Sequence, residues 1–473
     1  MSASYDVAAA KAVLAGIVGV TNVSTEPLVL CSYAEDASPF EGKLPGIVVR
    51  PQSTAEVQAI MAFAAKHKVP VVPAGGRSSI CGSTIPRIDN AIMIDFTRMD
   101  QVITLDEDAM TVTVQPGITW SRLIHDLKEK GYKLGFRGPY GGNAGTVAGA
   151  LSANSIGCGA SAHGGAPDSV VGLEVVLASG EVIKTGSGWK EKAGPNDVFA
   201  RFCTYNDITG LFLGDHGTLG LKTAATLKIF PIPRGTAYFD MGFPDIHSGT
   251  RAFQEIQKEH LAEEIVMLGD DNSIELLVSS YQSTFPDVHC LFGVIIEETD
   301  ERIADIKKET CEKIARKHGG KPIGQFLAKA HWNNMFNLTQ SLFEEGFWHN
   351  TCHLRKISTL PGIIEQFHAI AKKHDLKANE INWIISALGV AHCYTSGWIT
   401  LFLKDKSKQR ILDAAWGELK ASEIASGGVP YWTGKLWEPY VLPITNKAFL
   451  DVVERVKEAL DPDNLIHPQV FRG

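Results

Sequence analysis

Residues 73–82 read Pro-Ala-Gly-Gly-Arg-Ser-Ser-Ile-Cys-Gly and stand between two short apolar stretches, 69–72 and 91–95, that have the pattern of β-strands. We call residues 73–82 the first glycine loop. Glycine has no Cβ atom, so a backbone rich in it can turn its N–H groups inward. The two serine hydroxyls add further donors, and the loop therefore suits an anionic group such as a pyrophosphate. An amphipathic helical pattern over residues 53–67 precedes it and predicts a small α/β unit.

Two more glycine-rich segments follow along the chain. The second glycine loop, residues 138–149, reads Gly-Pro-Tyr-Gly-Gly-Asn-Ala-Gly-Thr-Val-Ala-Gly, and the third glycine loop, residues 214–221, reads Gly-Asp-His-Gly-Thr-Leu-Gly-Leu. No G-x-G-x-x-G segment follows a strand and opens a helix, which disfavours a dinucleotide site of the Rossmann type.

Taken in this order, the three loops resemble the FAD-binding domain of the vanillyl-alcohol oxidase / p-cresol methylhydroxylase (PCMH) superfamily, which includes glycolate oxidase and D-lactate dehydrogenase types. The resemblance covers roughly residues 46–233 and returns at 460–468, Leu-Asp-Pro-Asp-Asn-Leu-Ile-His-Pro. It implies an α+β fold: a PCMH-type FAD-binding domain of two subdomains, and an α+β cap domain with an antiparallel sheet. We expect the FAD-binding domain over residues 1–234, the cap over 235–440 and a return to the FAD domain over 441–473.

The same resemblance implies which residues hold FAD. The first loop would hold the diphosphate with Gly75, Gly76, Arg77, Ser78 and Ser79. The second loop would lie near the ring system with Asn143, Gly145, Thr146 and Val147. The third loop would contact the other end of the cofactor with Gly217, Thr218 and Gly220. Arg77 stands where members with a histidyl tether have His, and neither His nor Cys stands at the tethering point of the second loop. FAD is therefore expected to bind non-covalently, although His392 and Tyr394 lie near the tethering position of the cap.

Two branches of the superfamily compete for the substrate. The 4-phenol-oxidising branch is similar in residues 76–86 and 430–433, and it stabilises a phenolate with two tyrosines and an arginine. Here Tyr431 fits one tyrosine position, Cys81 replaces the other and Trp432 replaces the arginine. In the 2-hydroxy-acid branch His392 aligns with the first ligand of a metal motif whose other ligands are missing, so no metal is expected.

Several other residues are candidates for contact with a substrate. Lys435 and Arg355 are possible partners of a substrate carboxylate. Seven of the nine tryptophans lie between residues 330 and 440, which favours a flat aromatic or apolar substrate, with packing of the cap core as the alternative: Trp332, Trp348, Trp383, Trp398, Trp416, Trp432 and Trp437. Removal of a hydroxyl proton needs a His, Tyr or carboxylate within reach of the substrate, and the candidates for this base are His392, Tyr394, Tyr431 and Glu438.

Composition limits the class of protein. The 473 residues carry a net charge of −8, which argues against a nucleic-acid partner. No run approaches the ~18 apolar residues of a membrane span, and residues 12–20 are expected to form a helix and not a signal peptide. The eight cysteines contain no Cys-x-x-Cys pair and are expected to be reduced thiols in the cytoplasm.

The chain is therefore predicted to be an FAD-dependent oxidoreductase that takes a hydride from a small hydroxylated molecule. An aromatic or benzylic alcohol or an alkylphenol is favoured over a D-2-hydroxy acid such as lactate or glycolate. A second alternative is a flavin-bearing electron-transfer subunit of a larger complex. The electron acceptor is open among oxygen, a cytochrome, an electron-transfer flavoprotein and an iron–sulfur protein, and the resemblance implies a homodimer or a hetero-complex.

Overall fold

The computed structural model describes residues 5–190, 200–278, 281–337, 349–378, 380–392, 394–403 and 406–470. Trp348, one of the seven tryptophans above, lies outside these ranges. The strands are β1 Val23–Ser24, β2 Ile47–Val49, β3 Val71–Ala74, β4 Ile92–Asp95, β5 Val102–Asp106, β6 Thr111–Val114, β7 Tyr132–Leu134, β8 Val170–Val176, β9 Val182–Lys184, β10 Leu221–Pro231, β11 Gly235–Phe243, β12 Glu264–Leu268, β13 Cys290–Glu298, β14 Lys321–Gly324, β15 His349–Lys356, β16 Ile381–Val390 and β17 Tyr394–Leu403.

The α-helices alternate with these strands. They are α1 Val7–Val18, α2 Pro27–Tyr33, α3 Thr54–His67, α4 Trp120–Lys128, α5 Val147–Ser152, α6 Ala160–His163, α7 Ile246–Lys258, α8 Asp271–Leu277, α9 Tyr281–Thr284, α10 Glu301–Lys317, α11 Phe326–Asn333, α12 Leu360–Lys373, α13 Gln409–Ala425, α14 Gly434–Val441 and α15 Lys447–Leu460.

The first glycine loop leaves a small sheet of order β1-β2-β4-β3, in which β2, β4 and β3 run parallel. Helix α3 packs its apolar residues against this sheet. It begins at the N-cap Ser53, whose Oγ accepts from the Glu56 N–H at 3.2 Å, and the Glu56 carboxylate accepts from the Gln52 N–H at 2.7 Å. The sheet therefore holds the loop at the carboxyl end of β3.

The second and third glycine loops are held by a six-stranded sheet. Its order is β5-β6-β10-β8-β9, with β7 paired to the end of β10. Strand β7 precedes the second loop, and β10 continues directly from the third. Helix α5 starts inside the second loop, where Thr146 Oγ1 caps it by accepting from the Gly149 N–H at 3.2 Å.

The third sheet forms the cap. It has the order β14-β11-β13-β12-β16-β17-β15, and its pairs are antiparallel. Apolar residues of α7, α10, α12 and α13 pack in one hydrophobic cluster with this sheet. Successive side chains of a strand point to opposite faces, so alternate residues of β15 and β17 face away from these helices, towards the glycine loops.

The end of the chain returns to the first sheet. The Val71 N–H donates to Leu465 O at 2.8 Å, and the His467 N–H donates to Val71 O at 2.7 Å. The buried ammonium of Lys457 on α15 donates to Thr218 O at 2.7 Å and to Ile466 O at 2.8 Å. The return thus fastens the third glycine loop and β3 to one segment.

The α+β class with an antiparallel cap sheet is confirmed. The helical pattern over residues 53–67 corresponds to α3. The helix expected at residues 12–20 begins earlier, as α1. Strand β15 was not predicted, because its sequence His-Asn-Thr-Cys-His-Leu-Arg-Lys lacks an apolar alternation. The domain limits at 234 and 440 stay predictions.

Candidate active site

A cavity of about 440 Å³ lies between the glycine loops and the cap sheet. This volume is within the range of small-molecule and cofactor sites. One side is formed by the first and second glycine loops, including Gly75 to Ser79 and, in the second loop, Asn143, Gly145 and Thr146. The cap supplies the other side.

The two loops are in direct backbone contact. A Cβ atom on Gly76 would lie 1.6 Å from the carbonyl oxygen of Ala144, and one on Gly75 would lie 2.3 Å from Thr146 Oγ1. Glycine is thus required at both positions for the loops to meet. Where the two loops meet, the backbone and the hydroxyl groups of Ser78 and Ser79 form part of the cavity wall.

A smaller cavity of about 70 Å³ adjoins the first and shares Gly75, Ser83 and Thr146 with it. Gly217 and Gly220 of the third glycine loop line it, so all three loops border one elongated site. His216 lines it as well. Burial, with a smaller contribution from the positive charge of its neighbours, lowers the pKa of His216 to about 3, so its imidazole is neutral at physiological pH.

The cap side of the larger cavity is aromatic. The rings of Tyr431 and Trp432 lie with centroids 4.5 Å apart, and the ring of Trp398 lies 5.7 Å from that of Tyr140 in the second glycine loop. Phe336 completes this wall. Among the described residues that line the cavity, Arg77 is the single charged side chain, and its guanidinium lies over the ring of Tyr33 at 4.1 Å.

Three polar groups interrupt the aromatic wall. Asn350 donates to Thr400 Oγ1 at 2.7 Å, while its Oδ1 is buried without a partner. The Nε1 of Trp432 is likewise buried without a partner. The hydroxyl of Tyr431 donates to Cys352 Sγ at 3.4 Å. An unsatisfied buried donor or acceptor costs about 1–3 kcal/mol, so these atoms suit a hydroxyl or oxyanion of a ligand.

Burial also determines the protonation of Tyr431. It raises the pKa of the phenol well above its usual value, and the nearby thiols of Cys352 and Cys81 act in the same direction. Tyr431 is therefore a protonated hydrogen-bond donor at neutral pH and not a general base.

Other candidates for catalysis lie elsewhere. His392 and Tyr394 are at the β16–β17 turn, where His392 is exposed and has a φ of 64° and Tyr394 is 49% exposed. Glu438 forms a two-bond ion pair with Arg87, at 2.7 Å for each bond. None of these three residues lines the cavity.

The proposed carboxylate partners are also outside the cavity wall. Arg355 is 3% exposed and faces Glu423, because it lies on the helix-covered face of β15. Lys435 donates to Glu41 O at 2.6 Å. Val147 and Thr218, expected to touch FAD, do not line either cavity: Val147 is buried in the core, and Thr218 Oγ1 donates to Asp215 O at 2.8 Å.

The tryptophans divide between pocket and core. Trp398 and Trp432 line the larger cavity, whereas Trp437 is fully buried in α14 and takes part in the alternative expected above, the packing of the cap core. Trp332, Trp383 and Trp416 do not line the cavity either.

The amino-acid pattern did not predict a place in the site for Asn350, Cys352, Phe336 or Tyr140. Tyr140 is the one residue of the four with a local signal, since an aromatic ring within a cofactor loop often faces the cofactor.

Comparison with known proteins identifies the cofactor. Residues 45–186 match a family model described as FAD binding domain, and residues 232–470 match one described as FAD linked oxidases, C-terminal domain. The chain is 25% identical to glycolate oxidase subunit GlcD of Bacillus subtilis over 453 residues, which covers 92% of this chain and 91% of that relative.

Two solved structures share the fold. p-Cresol methylhydroxylase with substrate bound has a TM-score of 0.82 and 16% identity, with 98% of this chain and 96% of that chain covered. The isoeugenol complex of 4-ethylphenol oxidase from Gulosibacter chungangensis has a TM-score of 0.79 and 17% identity, with the same coverage.

The chain belongs to the FAD-linked oxidases of the PCMH-type superfamily. It is an FAD-dependent oxidoreductase. The cavities fit FAD, because the contact between the first and second glycine loops, which a Cβ on Gly76 would disrupt, leaves an elongated site with backbone groups and hydroxyls at its wall. No helix in the described part of the chain has both the length and the apolarity to cross a bilayer.

Proposed function

We propose that the enzyme oxidises an aromatic substrate, a benzylic alcohol or an alkylphenol, by hydride transfer to FAD. The observation that carries this proposal is the aromatic wall of Phe336, Trp398, Tyr431 and Trp432 opposite the glycine loops, which Tyr140 of the second glycine loop extends. Flat rings stack well on such walls. When bound, FAD supplies the hydride acceptor, and the chain's own residues orient the substrate.

The unpaired polar atoms suit a substrate oxygen. Asn350 Oδ1 can accept from a substrate hydroxyl, and the Tyr431 hydroxyl and Trp432 Nε1 can donate to a substrate oxygen that carries negative charge. Tyr431 fits one tyrosine position of the phenol-oxidising branch, and Asn350 and Trp432 would serve in place of the second tyrosine and the arginine, which this chain lacks. Donors aimed at a developing negative charge are an effective means of lowering a barrier.

The rival substrate is a D-2-hydroxy acid, and the similarity to glycolate oxidase subunit GlcD favours it. A carboxylate in a dry cavity needs a cationic partner. Arg355, Lys435 and His392, the candidates for that role, do not line the cavity, and Arg77 belongs to the first glycine loop at the expected diphosphate side.

The deciding experiment is anaerobic bleaching of the flavin by a panel of 4-hydroxybenzyl alcohols, alkylphenols and both enantiomers of lactate and 2-hydroxyglutarate. Bleaching by an aromatic member is expected. Bleaching by one hydroxy-acid enantiomer alone would reject the proposal and make Arg77 the first cation to substitute. Bleaching by none would favour an electron-transfer subunit.

We also propose that FAD is held without a covalent bond. Arg77 occupies the tethering position of the first loop, and neither His392 nor Tyr394 lines the cavity. Acid precipitation should leave the yellow colour in the supernatant, whereas colour in the pellet would implicate Cys352 or a tyrosine of the cavity wall.

A further inference from the structure

Three side chains capable of binding a metal converge behind the active-site wall. Cys158 Sγ lies 3.3 Å from His331 Nε2, and the same nitrogen lies 3.2 Å from Glu264 Oε1. The three ligand atoms are all within 4.8 Å of one another. Each residue is at most 2% exposed.

Hydrogen bonds alone leave this cluster poorly satisfied. One imidazole nitrogen either donates one hydrogen or accepts one, yet His331 Nε2 faces both the thiol and the carboxyl. The other oxygen of Glu264 accepts from the Ser161 N–H at 3.2 Å, so Oε1 is the oxygen that points at the imidazole. A single positive centre between the three atoms would satisfy all of them together.

Charge favours the same arrangement. An isolated carboxylate in a dry interior is costly unless a positive charge compensates it, and the side chain of Glu264 is fully buried. A divalent cation bound by one thiolate, one carboxylate and one neutral imidazole gives a cluster of zero net charge. Binding would release the protons held by the thiol and, where present, the carboxyl.

We propose that Cys158, Glu264 and His331 bind a zinc ion. Thiolate, imidazole and carboxylate are the ligands zinc takes in proteins, and its bonds of about 2.0–2.3 Å in a tetrahedral arrangement put ligand atoms about 3.3–3.5 Å apart. The observed distances from His331 Nε2, 3.3 Å to Cys158 Sγ and 3.2 Å to Glu264 Oε1, are close to these separations. Three protein ligands leave the fourth position for water.

The place of the cluster indicates what the ion does. Cys158 precedes α6 in the FAD-binding part, Glu264 begins β12 and His331 lies on α11 of the cap, so zinc would join the two parts of the chain. The His331 ring also contacts Tyr140 edge-on at 5.7 Å. The ion would thus fix a residue of the cavity wall without touching the substrate.

The test is the zinc content of the holoenzyme produced in zinc-supplemented medium and dialysed against a weak chelator. We expect roughly one zinc per chain in the wild type and little in Cys158→Ser or His331→Ala. The exposed residues Cys203 and His289 provide the controls, since Cys203→Ser and His289→Ala should keep the wild-type content. Flavin content reports whether each variant has folded.

X-ray absorption at the zinc edge of the wild type keeps the proposal testable if the cluster variants do not fold. One sulfur scatterer at about 2.3 Å is expected. Zinc without a sulfur ligand, zinc that survives Cys158→Ser, or a wild type without zinc would each overturn the proposal. None of these results depends on the substrate.

Discussion

The hydroxyl of Tyr431 is the best-placed proton donor for a substrate oxygen in the described part of the cavity wall. It points at Cys352 Sγ, 3.4 Å away, a weak acceptor that a ligand oxygen can replace at small cost. Because burial raises the pKa of the phenol, it stays protonated across the neutral range. Its expected role is therefore to hold a substrate oxygen and stabilise negative charge there.

Replacing Tyr431 by Phe should keep FAD bound and slow flavin reduction by the aromatic substrate about tenfold or more. This corresponds to about 1.4 kcal/mol, the size of one hydrogen bond to a developing charge. Anaerobic stopped-flow reduction measures the rate. Tyr394→Phe, at the exposed β16–β17 turn, is the matched control and should reduce at the wild-type rate. Equal rates in both variants would remove Tyr431 from the site.

At the scale of elements, strong apolar periodicity made some elements predictable. Helix α3 is one of these, since the helical pattern over residues 53–67 agrees with the observed Thr54–His67 to within one residue. Strand β15 has polar residues on both faces, yet it is buried, because helix α13 covers one of these faces. On that face the Thr351 hydroxyl donates to the carboxylate of Glu423 on α13 at 2.8 Å. Long-range partners of this kind leave no local signal, and β15 carries two residues of the cavity wall.

The same limit applies to the site. The glycine loops could be found because close backbone approach requires glycine itself at particular positions. The cluster of Cys158, Glu264 and His331 could not be found in this way, because 106 and 67 residues separate its members along the chain. Each of the three residues taken alone belongs to no recognisable sequence motif.

The contact between the first and second glycine loops gives a prediction at this scale. Gly76→Ala places a Cβ 1.6 Å from Ala144 O, which forces the loops apart by about 2 Å to restore van der Waals contact. The purified variant should hold less than about a tenth of the wild-type flavin, read from the ratio of flavin to protein absorbance. Gly362→Ala on α12 has open space around it and should remain fully loaded. A yellow Gly76→Ala protein would refute the loop junction as the basis of binding.

Across the whole molecule, one pair of histidines joins three distant segments. His216 of the third glycine loop contacts Thr433 Oγ1 of the cap through Nε2 at 3.1 Å, and His467 of the C-terminal return contacts His216 O through Nδ1 at 3.0 Å. Burial is the main cause that lowers the pKa of His216 to about 3 and that of His467 to about 4. The two imidazole rings of this histidine junction, His216 and His467, are therefore neutral at neutral pH.

The pH dependence of stability follows from these shifts. An unfolded His takes up a proton below about pH 6.5, whereas the folded junction stays neutral down to about pH 4, so the free energy of unfolding should fall as pH decreases through this window. Each His contributes up to about 1.4 kcal/mol per pH unit. Urea unfolding of the holoenzyme at several pH values measures the slope.

Two variants assign this slope to the junction. His216→Gln keeps an acceptor near Nε2 and His467→Asn keeps a donor near Nδ1, so each should flatten the acid dependence while leaving neutral stability nearly intact. His247→Asn removes a histidine that is 56% exposed and should leave the slope unchanged. If the junction variants lose stability in acid as steeply as the wild type, other groups carry the dependence. A flattened slope would show that protonation of the two junction histidines causes the loss of stability in acid.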